Sequence, residues 1–408
     1  MMNENILPEE LMDFAFVPKS SSELKVIGVG GGGCNAVNHM YGLDATDVQF
    51  IVCNTDSQAL ANSPVPYKIQ LGETLTRGRG AGSDPQIGRQ AAIESIGQIT
   101  DLVKENTDMV FITAGMGGGT GTGAAPVIAE KIKELDILTV AIVTVPFSSE
   151  IGDRVTFARQ GIEELNENVD ALIIIENDKL NKNYSDLPLS EAFRMADEVL
   201  AVAAKSIVEI IKIHGQWNVD FNDVKTVMKD SKVALMGAGY AAGESRAIEA
   251  VQNAISSPLL NNSDITGATN ILVNIVSGKN EILVREHDEI CQYIQEISGR
   301  ESKQFIIGVA RDESLEDEIK VTIIATGFKV KMYYDLWERQ KNELSSAPVP
   351  EAEEPEEALT ESETLENELP IKEIPIKKRK ESKKKSDEEN GRKSGIQRFI
   401  DFFDEGIN

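Results

Sequence analysis

The chain has 408 residues, 41% of them hydrophobic, and a formal net charge of −26 at pH 7. That much apolar material builds two packed domains of ordinary size plus tails, while the acidic balance argues against nucleic acid as a general partner, because phosphate binding needs Lys and Arg in excess on some face. No apolar run approaches the roughly 20 residues that span a bilayer, which leaves no segment for membrane insertion. Cys34, Cys53 and Cys291 lack metal-ligand spacing, so free, mostly buried thiols and a cytoplasmic location are expected.

Residues 1–22 are acidic, lack the basic start and apolar run of a secretory signal, and read as a flexible arm. From residue 23 strand and helix patterns alternate. "LKVIGV" is a short apolar run ending in glycine, and "GGGGCNAVNHMY" opens a helix directly after it. The same order recurs in "VQFIVCNTD", in "DMVFITAGMGGGTGTGAAPVIAEKIKEL", in "LTVAIVTVPF" and in "ALIIIENDKL". Such repetition predicts a mainly parallel sheet covered on both faces, within a domain spanning 23–186. In 187–215, Ser190 suits an N-cap and Gly215 a stop, and the residues between are apolar on nearly every face. A helix of that kind is buried all round, which places it between two domains. "ATNILVNIVSG", "KQFIIGVA" and "EIKVTIIATGF" are strands of a second, smaller α/β domain over 216–330. Residues 331–394 are rich in Pro, Glu, Ser and Lys and read as a disordered charged linker. Apolar spacing returns in 395–408, where Ile396, Phe399, Ile400, Phe403 and Ile407 fall on one face of a short partner-binding helix.

Function turns on two glycine loops. Glycines at strand ends let backbone N–H groups approach phosphate oxygens, and a following helix N-terminus adds positive potential. Gly28, Gly30 and Gly33 satisfy G-x-G-x-x-G, which raises a dinucleotide-dependent dehydrogenase with Asp56 as the ribose carboxylate. That reading leaves "GGGTGTG" at 117–123 unexplained, and a second cradle implies a longer phosphate chain. An ordinary P-loop is excluded, because Gly123 is followed by Ala124 and Ala125 where a lysine is required. His39, His214 and His287 are too scattered for a triad or metal site, and no protein metal cluster is expected.

"GGGTGTG" at 117–123, "GVGGGGCNAVN" at 28–38, "NTDSQAL" at 54–60 and "NVDFNDV" at 218–224 together closely resemble the FtsZ family of bacterial tubulin-like cell-division GTPases, over residues 23 to 328. The resemblance implies a GTP-binding domain, a long central helix and a C-terminal domain. It also implies hydrolysis of GTP to GDP with Mg²⁺, head-to-tail assembly into protofilaments, and a division ring at midcell. It assigns nucleotide binding to Gly31, Gly32, Gly33, Cys34 and Asn35 and to Gly118, Gly119, Thr120, Gly121, Thr122 and Gly123. Glu150 and Arg154 match the family's pair near ribose and phosphates, Asn35 and Asp197 the residues that read guanine, and Phe193 the ring packed on the base. From the residues alone, Glu150 and Arg154 are equally a surface ion pair at helical spacing.

Asn218, Asp220 and Asp223 stand just after the central helix, far along the chain from the glycine loops. Taken alone, acid at a helix start is capping. The resemblance instead sets these residues against the γ-phosphate of the next subunit, where Asp220 and Asp223 polarise the attacking water. Family tails dock membrane-tethering adaptors through a short peptide with an Asp-Ile-Pro-like core; here the position matches and the residues do not. The basic run "KKRKESKKK" at 377–385 suits either an anionic surface or a solvated linker half.

Overall fold

A computed structural model of the chain describes residues 24–42, 48–147, 150, 152–178, 189–212, 215, 217–257, 265–299 and 302–328. The expectations for the arm at 1–22, the linker and the tail lie outside these residues.

Ten strands form one sheet. On one side β1 (Leu24–Val29), β2 (Val48–Asn54), β3 (Tyr67–Gln70), β4 (Met109–Gly115), β5 (Leu138–Val145) and β6 (Ala171–Glu176) run in parallel, in the order β3-β2-β1-β4-β5-β6. The sheet continues through β7 (Lys232–Ala241), β10 (Ile319–Thr326), β8 (Asn270–Ser277) and β9 (Gln304–Arg311). There β10 is antiparallel to both its neighbours and β8 is parallel to β9. β1, β5 and β10 are buried along their whole length, as Val- and Ile-rich strands covered by helices on both faces must be.

The helices are α1 (Gly30–Gly42), α2 (Ser57–Asn62), α3 (Glu73–Thr76), α4 (Pro85–Val103), α5 (Gly119–Lys133), α6 (Arg154–Asn168), α7 (Leu189–Lys212), α8 (Phe221–Met228), α9 (Arg246–Ile255) and α10 (Val284–Ile297). The eight strands expected from apolar runs are all present. β3 and β7 were not expected. β7 reads "KVALMGAGYA", short of β-branched residues, and the second of its two glycines has a tertiary reason: a Cβ on Gly239 would run into the backbone N of Ala254 in α9.

α7 is the expected long helix. It begins at Leu189, so Ser190 lies inside the first turn and is not its N-cap, because the chain is already helical one residue earlier. Val199, Leu200, Val202, Ala203, Ile207 and Ile210 are all buried. They belong to a single apolar cluster that also takes in Val52 and Ile142 from the parallel side and Met236, Leu272 and Ile324 from the mixed side. The helix is therefore shared core for both parts of the sheet.

The two parts meet at a thin seam, where β6 and β7 pair only through Ala171 with Lys232 and Leu172 with Val233. Asp170, 3% exposed, braces it. Its carboxylate accepts from the backbone N–H of Thr139 at 2.9 Å and of Asp230 at 3.4 Å, and Lys133 Nζ stands 3.2 Å away.

Candidate nucleotide-binding site

β1 and β4 are neighbours in the sheet, and each ends directly in a glycine turn that becomes a helix. α1 starts at Gly30, and α5 starts at Gly119 with Gly118 as an N-cap that offers no side-chain bond. The first N–H groups of a helix have no partner inside it. Two such sets open side by side at the carboxyl ends of adjacent parallel strands, which is where open α/β sheets bind ligands.

Most of the glycines here are required by packing. A Cβ on Gly30, which has φ +72°, would lie 2.8 Å from Gly121 N and 3.3 Å from Thr120 Cβ, so the two loops touch. A Cβ on Gly32 would crowd the backbone of Gly115 at 3.2 Å, and one on Gly121 would stand 2.5 Å from Gly115 O. Gly33 and Gly123 would strike the carbonyls of Thr113 and Pro85. Gly31 and Gly118 differ: a Cβ at either would meet nothing within 4 Å. The cradle thus opens outward at one position in each loop.

The threonines brace the loops. Thr122, 3% exposed, accepts from Gly117 N–H at 2.8 Å, and the Thr120 hydroxyl lies 2.7 Å from that of Thr55. Thr55 was missed in the sequence, and so was a third glycine turn, "RGRGAG" at 77–82, with positive φ at Gly78, Gly80 and Gly82. This turn reaches the cradle: a Cβ on Gly119 would lie 2.8 Å from Asp84 N and 2.9 Å from Ala81 Cβ. The signal for it was the spacing of its glycines.

Cys34 turns its side chain into the core, with Sγ 3.6 Å from Gly28 O and 3.5 Å from Cys53 O, so it can meet a ligand only through its backbone. Burial pushes the Cys34 thiol up to about 12, raises that of Cys53, and lifts half-buried Cys291 to about 11. These are inert thiols. Asp56 caps α2, its Oδ1 accepting from Gln58 N–H at 2.8 Å and Ala59 N–H at 3.3 Å, which accounts for a carboxylate at this position without a ribose.

Asn35 is exposed on the first turns of α1. Glu150 and Arg154 form an ion pair at 2.5 Å, with Glu150 also accepting from Phe147 N–H at 3.1 Å; Arg154 opens α6, so the pair straddles the helix start. Phe193 lies on α7, and its side chain is outside the described residues. Asp197, one turn further on, is partly buried, and desolvation pushes its carboxyl up to about 7.

Asn218, Asp220 and Asp223 are not at the cradle. Ala204 and Val208 of α7 face Val26 and Val48, which stand at the beginnings of β1 and β2. α7 therefore runs away from the strand ends that carry the glycines. Its 24 residues extend roughly 36 Å at about 1.5 Å each. Beyond its far end Asn218 Oδ1 accepts from Gly215 N–H at 2.6 Å. Asp220 and Asp223 then form a reciprocal capping box on α8: Asp223 N–H donates to Asp220 Oδ1 at 2.9 Å, and Asp220 N–H to Asp223 Oδ2 at 3.0 Å. The capping expected from the residues is present, and it leaves the second oxygen of each carboxylate without a partner among the described residues.

Adjoining uncapped glycine helix starts, a P-loop lysine missing from the motif and a long shared helix define a tubulin-like nucleotide-binding protein. Residues 23–185 match the Tubulin/FtsZ family, GTPase domain, and residues 232–329 the FtsZ family, C-terminal domain. The chain is 46% identical over 308 residues to the cell division protein FtsZ of Coxiella burnetii, covering 75% of this chain and 79% of that one. Its fold superposes on an empty FtsZ dimer structure from M. jannaschii with TM-score 0.70 and 40% identity, over 76% of this chain and 90% of that chain. It also matches CetZ2 from Haloferax volcanii, a GTPγS-bound protofilament, with TM-score 0.66 and 20% identity, over 79% and 98% of the two chains; at that identity the likeness is one of fold. The chain belongs to the FtsZ family and is a GTPase. Among the described residues, no helix is long and apolar enough to cross a membrane.

Proposed function

We propose that the chain holds GTP between the starts of α1 and α5, hydrolyses it to GDP and phosphate, and assembles head to tail into protofilaments of the bacterial cell-division ring, each active site being completed by two subunits. The observation that carries this reading is the course of α7 away from the strand ends that bear the glycines, with the capping-box carboxylates beyond its far end.

In this reading the N–H groups of Gly31 to Cys34 and of Gly118 to Gly123 surround the phosphates, and Glu150 and Arg154 meet the ribose and phosphates. Asn35 and Asp197 take the guanine edge, with Phe193 against the base. A carboxylate there accepts from N1–H and the 2-amino group, a donor pair that adenine lacks. Among the described residues, no cluster of three His, Cys, Asp or Glu side chains is arranged for a metal. A Mg²⁺ ion would then be held mainly by phosphate oxygens and water, as this ion prefers, and would neutralise phosphate charge.

In-line attack needs an acceptor that orients the water beside the γ-phosphate. Asp220 and Asp223 suit that task, since the capping box holds both carboxylates in place and leaves one oxygen of each to face outward. Separated from their own cradle by α7, they serve the neighbour's. Such a heterologous contact does not close on itself and propagates as a filament. Residues 395–408 would dock membrane-tethering adaptors at midcell; deleting them should spare hydrolysis and assembly and abolish membrane recruitment.

The test mixes a cradle-defective chain, Gly118→Glu, with an Asp223→Ala chain. Each alone should be nearly inactive. In copolymers one type of junction pairs an intact cradle with intact carboxylates, so phosphate release should return in part. Specific activity that stays constant from well below to well above the assembly threshold would refute a shared site.

A further inference from the structure

Gly215, Trp217 and Val219, which lead into α8, lie close against β9. Trp217 and Val309 form an antiparallel bridge, with Trp217 N–H donating to Val309 O at 3.2 Å and Val309 N–H to Trp217 O at 2.9 Å. Glycines on both sides allow the approach: a Cβ on Gly215 would run into Val309 O, and one on Gly308 would stand 2.6 Å from Val219 Cγ2. Val219, 5% exposed, immediately precedes Asp220, the N-cap of α8. The Trp217 ring lies on α10, stacked on His287 with 5.7 Å between centroids and 29° between planes. His287 is held in turn, its Nδ1 3.2 Å from Asp288 Oδ1 and its Nε2 3.7 Å from Cys291 Sγ. The start of α10 is anchored by a buried pair, Arg246 Nε donating to Glu286 Oε1 at 2.8 Å and Nη2 to Oε2 at 3.0 Å. Trp217 remains 61% exposed, so burial in a core does not account for a tryptophan here.

We infer that Trp217 and His287 are positioning residues for hydrolysis: their stack pins the chain leading into α8 between β9 and α10, and so sets where the carboxylates of Asp220 and Asp223 stand. This rests on the shared-site reading above, in which those carboxylates orient the attacking water for a neighbouring subunit. The start of α8 is the part of that helix in need of a support. Val224, Val227 and Met228 bury its later turns, whereas Asp220 is exposed and Asp223 half-buried. The capping box does not supply that support, because its two bonds join 220 and 223 only to each other. Helix ends open more readily than buried turns. In-line attack tolerates little of this, since a displacement of about 1 Å in a positioned group costs on the order of 100-fold in rate. A flat ring clamped by a backbone bridge on one side and an aromatic partner on the other restrains both the position and the direction of the chain that enters the cap.

The test measures phosphate release per assembled subunit, well above the assembly threshold, alongside GTP binding by the monomer. Trp217→Ala and His287→Ala should each lower turnover about tenfold with binding unaltered, and His287→Phe, which keeps an aromatic face under the ring, should stay within about twofold of the unaltered chain. A second readout does not depend on catalysis. With Trp337→Phe as background, Trp217 is the one tryptophan left, and its emission anisotropy should fall in His287→Ala and recover in His287→Phe. The amides of Asp220 and Asp223 should exchange about tenfold faster in His287→Ala. Asp223→Ala, run in parallel, separates this inference from the reading beneath it. Full turnover by Asp223→Ala would refute the shared site and the inference together. Low turnover by Asp223→Ala with unchanged turnover per assembled subunit in Trp217→Ala and His287→Ala would overturn the inference alone. So would a loss explained entirely by a higher assembly threshold, which makes Trp217 a contact between subunits.

Discussion

Asp197 offers the sharpest test of base recognition, because burial pushes its carboxyl up to about 7, where the ordinary value is 3.8. At pH 6 roughly one apo molecule in ten then carries the ionised carboxylate, and at pH 8 roughly nine in ten. Guanine presents two donors, so the bound state favours the ionised form, and binding releases a proton wherever the apo site holds one. Affinity should therefore tighten about tenfold between pH 6 and pH 8. Stability of the apo protein runs the other way. The folded-state value lies above the unfolded one, so its contribution is fully present below about pH 4, falls as pH rises, and is lost above about pH 7, with a ceiling near 4 kcal/mol that partial exposure reduces. Asp197→Asn cannot ionise: its GTP affinity should lose this pH dependence, its stability should not decline over that window, and its affinity at pH 8 should drop by about 10- to 100-fold. Nucleotide phosphate titrates near pH 6 as well, so the decisive quantity is the difference between the two titration-calorimetry profiles. Identical pH profiles for the two proteins would refute the assignment of Asp197 to the guanine edge.

Three further outcomes are expected. Gly33→Ala forces a Cβ onto the Thr113 carbonyl and should lower the melting temperature by several degrees, whereas Gly118→Ala meets nothing and should leave melting unchanged while weakening nucleotide retention. Asp170→Ala leaves the Thr139 and Asp230 N–H groups at the seam without their acceptor and takes from Lys133 one of its two carboxylate partners, the other being Asp230, and should cost about 3 kcal/mol in urea unfolding. Asp220→Ala removes a helix cap worth about 1 kcal/mol, but in phosphate-release assays under assembly conditions it should lower turnover by about 100-fold or more, with GTP binding by the monomer unaltered.

Local pattern alone carried much of this protein. Apolar runs ending in glycine marked β1 and β4 and the helices that follow them, since a parallel strand buried on both faces has to be continuously apolar and a turn that brings backbone to phosphate has to lack side chains. The density of apolar residues along 195–210 marked α7 as a core helix, although Asp197, Lys205, Val208 and Glu209 are only partly buried. What only tertiary structure decided was contact between segments distant in sequence. β7 is a strand because Gly239 lets α9 lie against it and β10 pairs with it, and its own residues hold little β preference. The division of labour among the cradle glycines, with Gly31 and Gly118 open and Gly33 and Gly123 spent on packing, depends on Thr113 and Pro85, which no spacing within the motif reveals. The perturbed carboxyl of Asp197 arises from the bulk packed around it, which no local pattern records. The distance between the glycine loops and Asp220 likewise came from the course of α7 across the sheet, because a sequence records the order of its residues but not which end of a strand a later helix leaves behind.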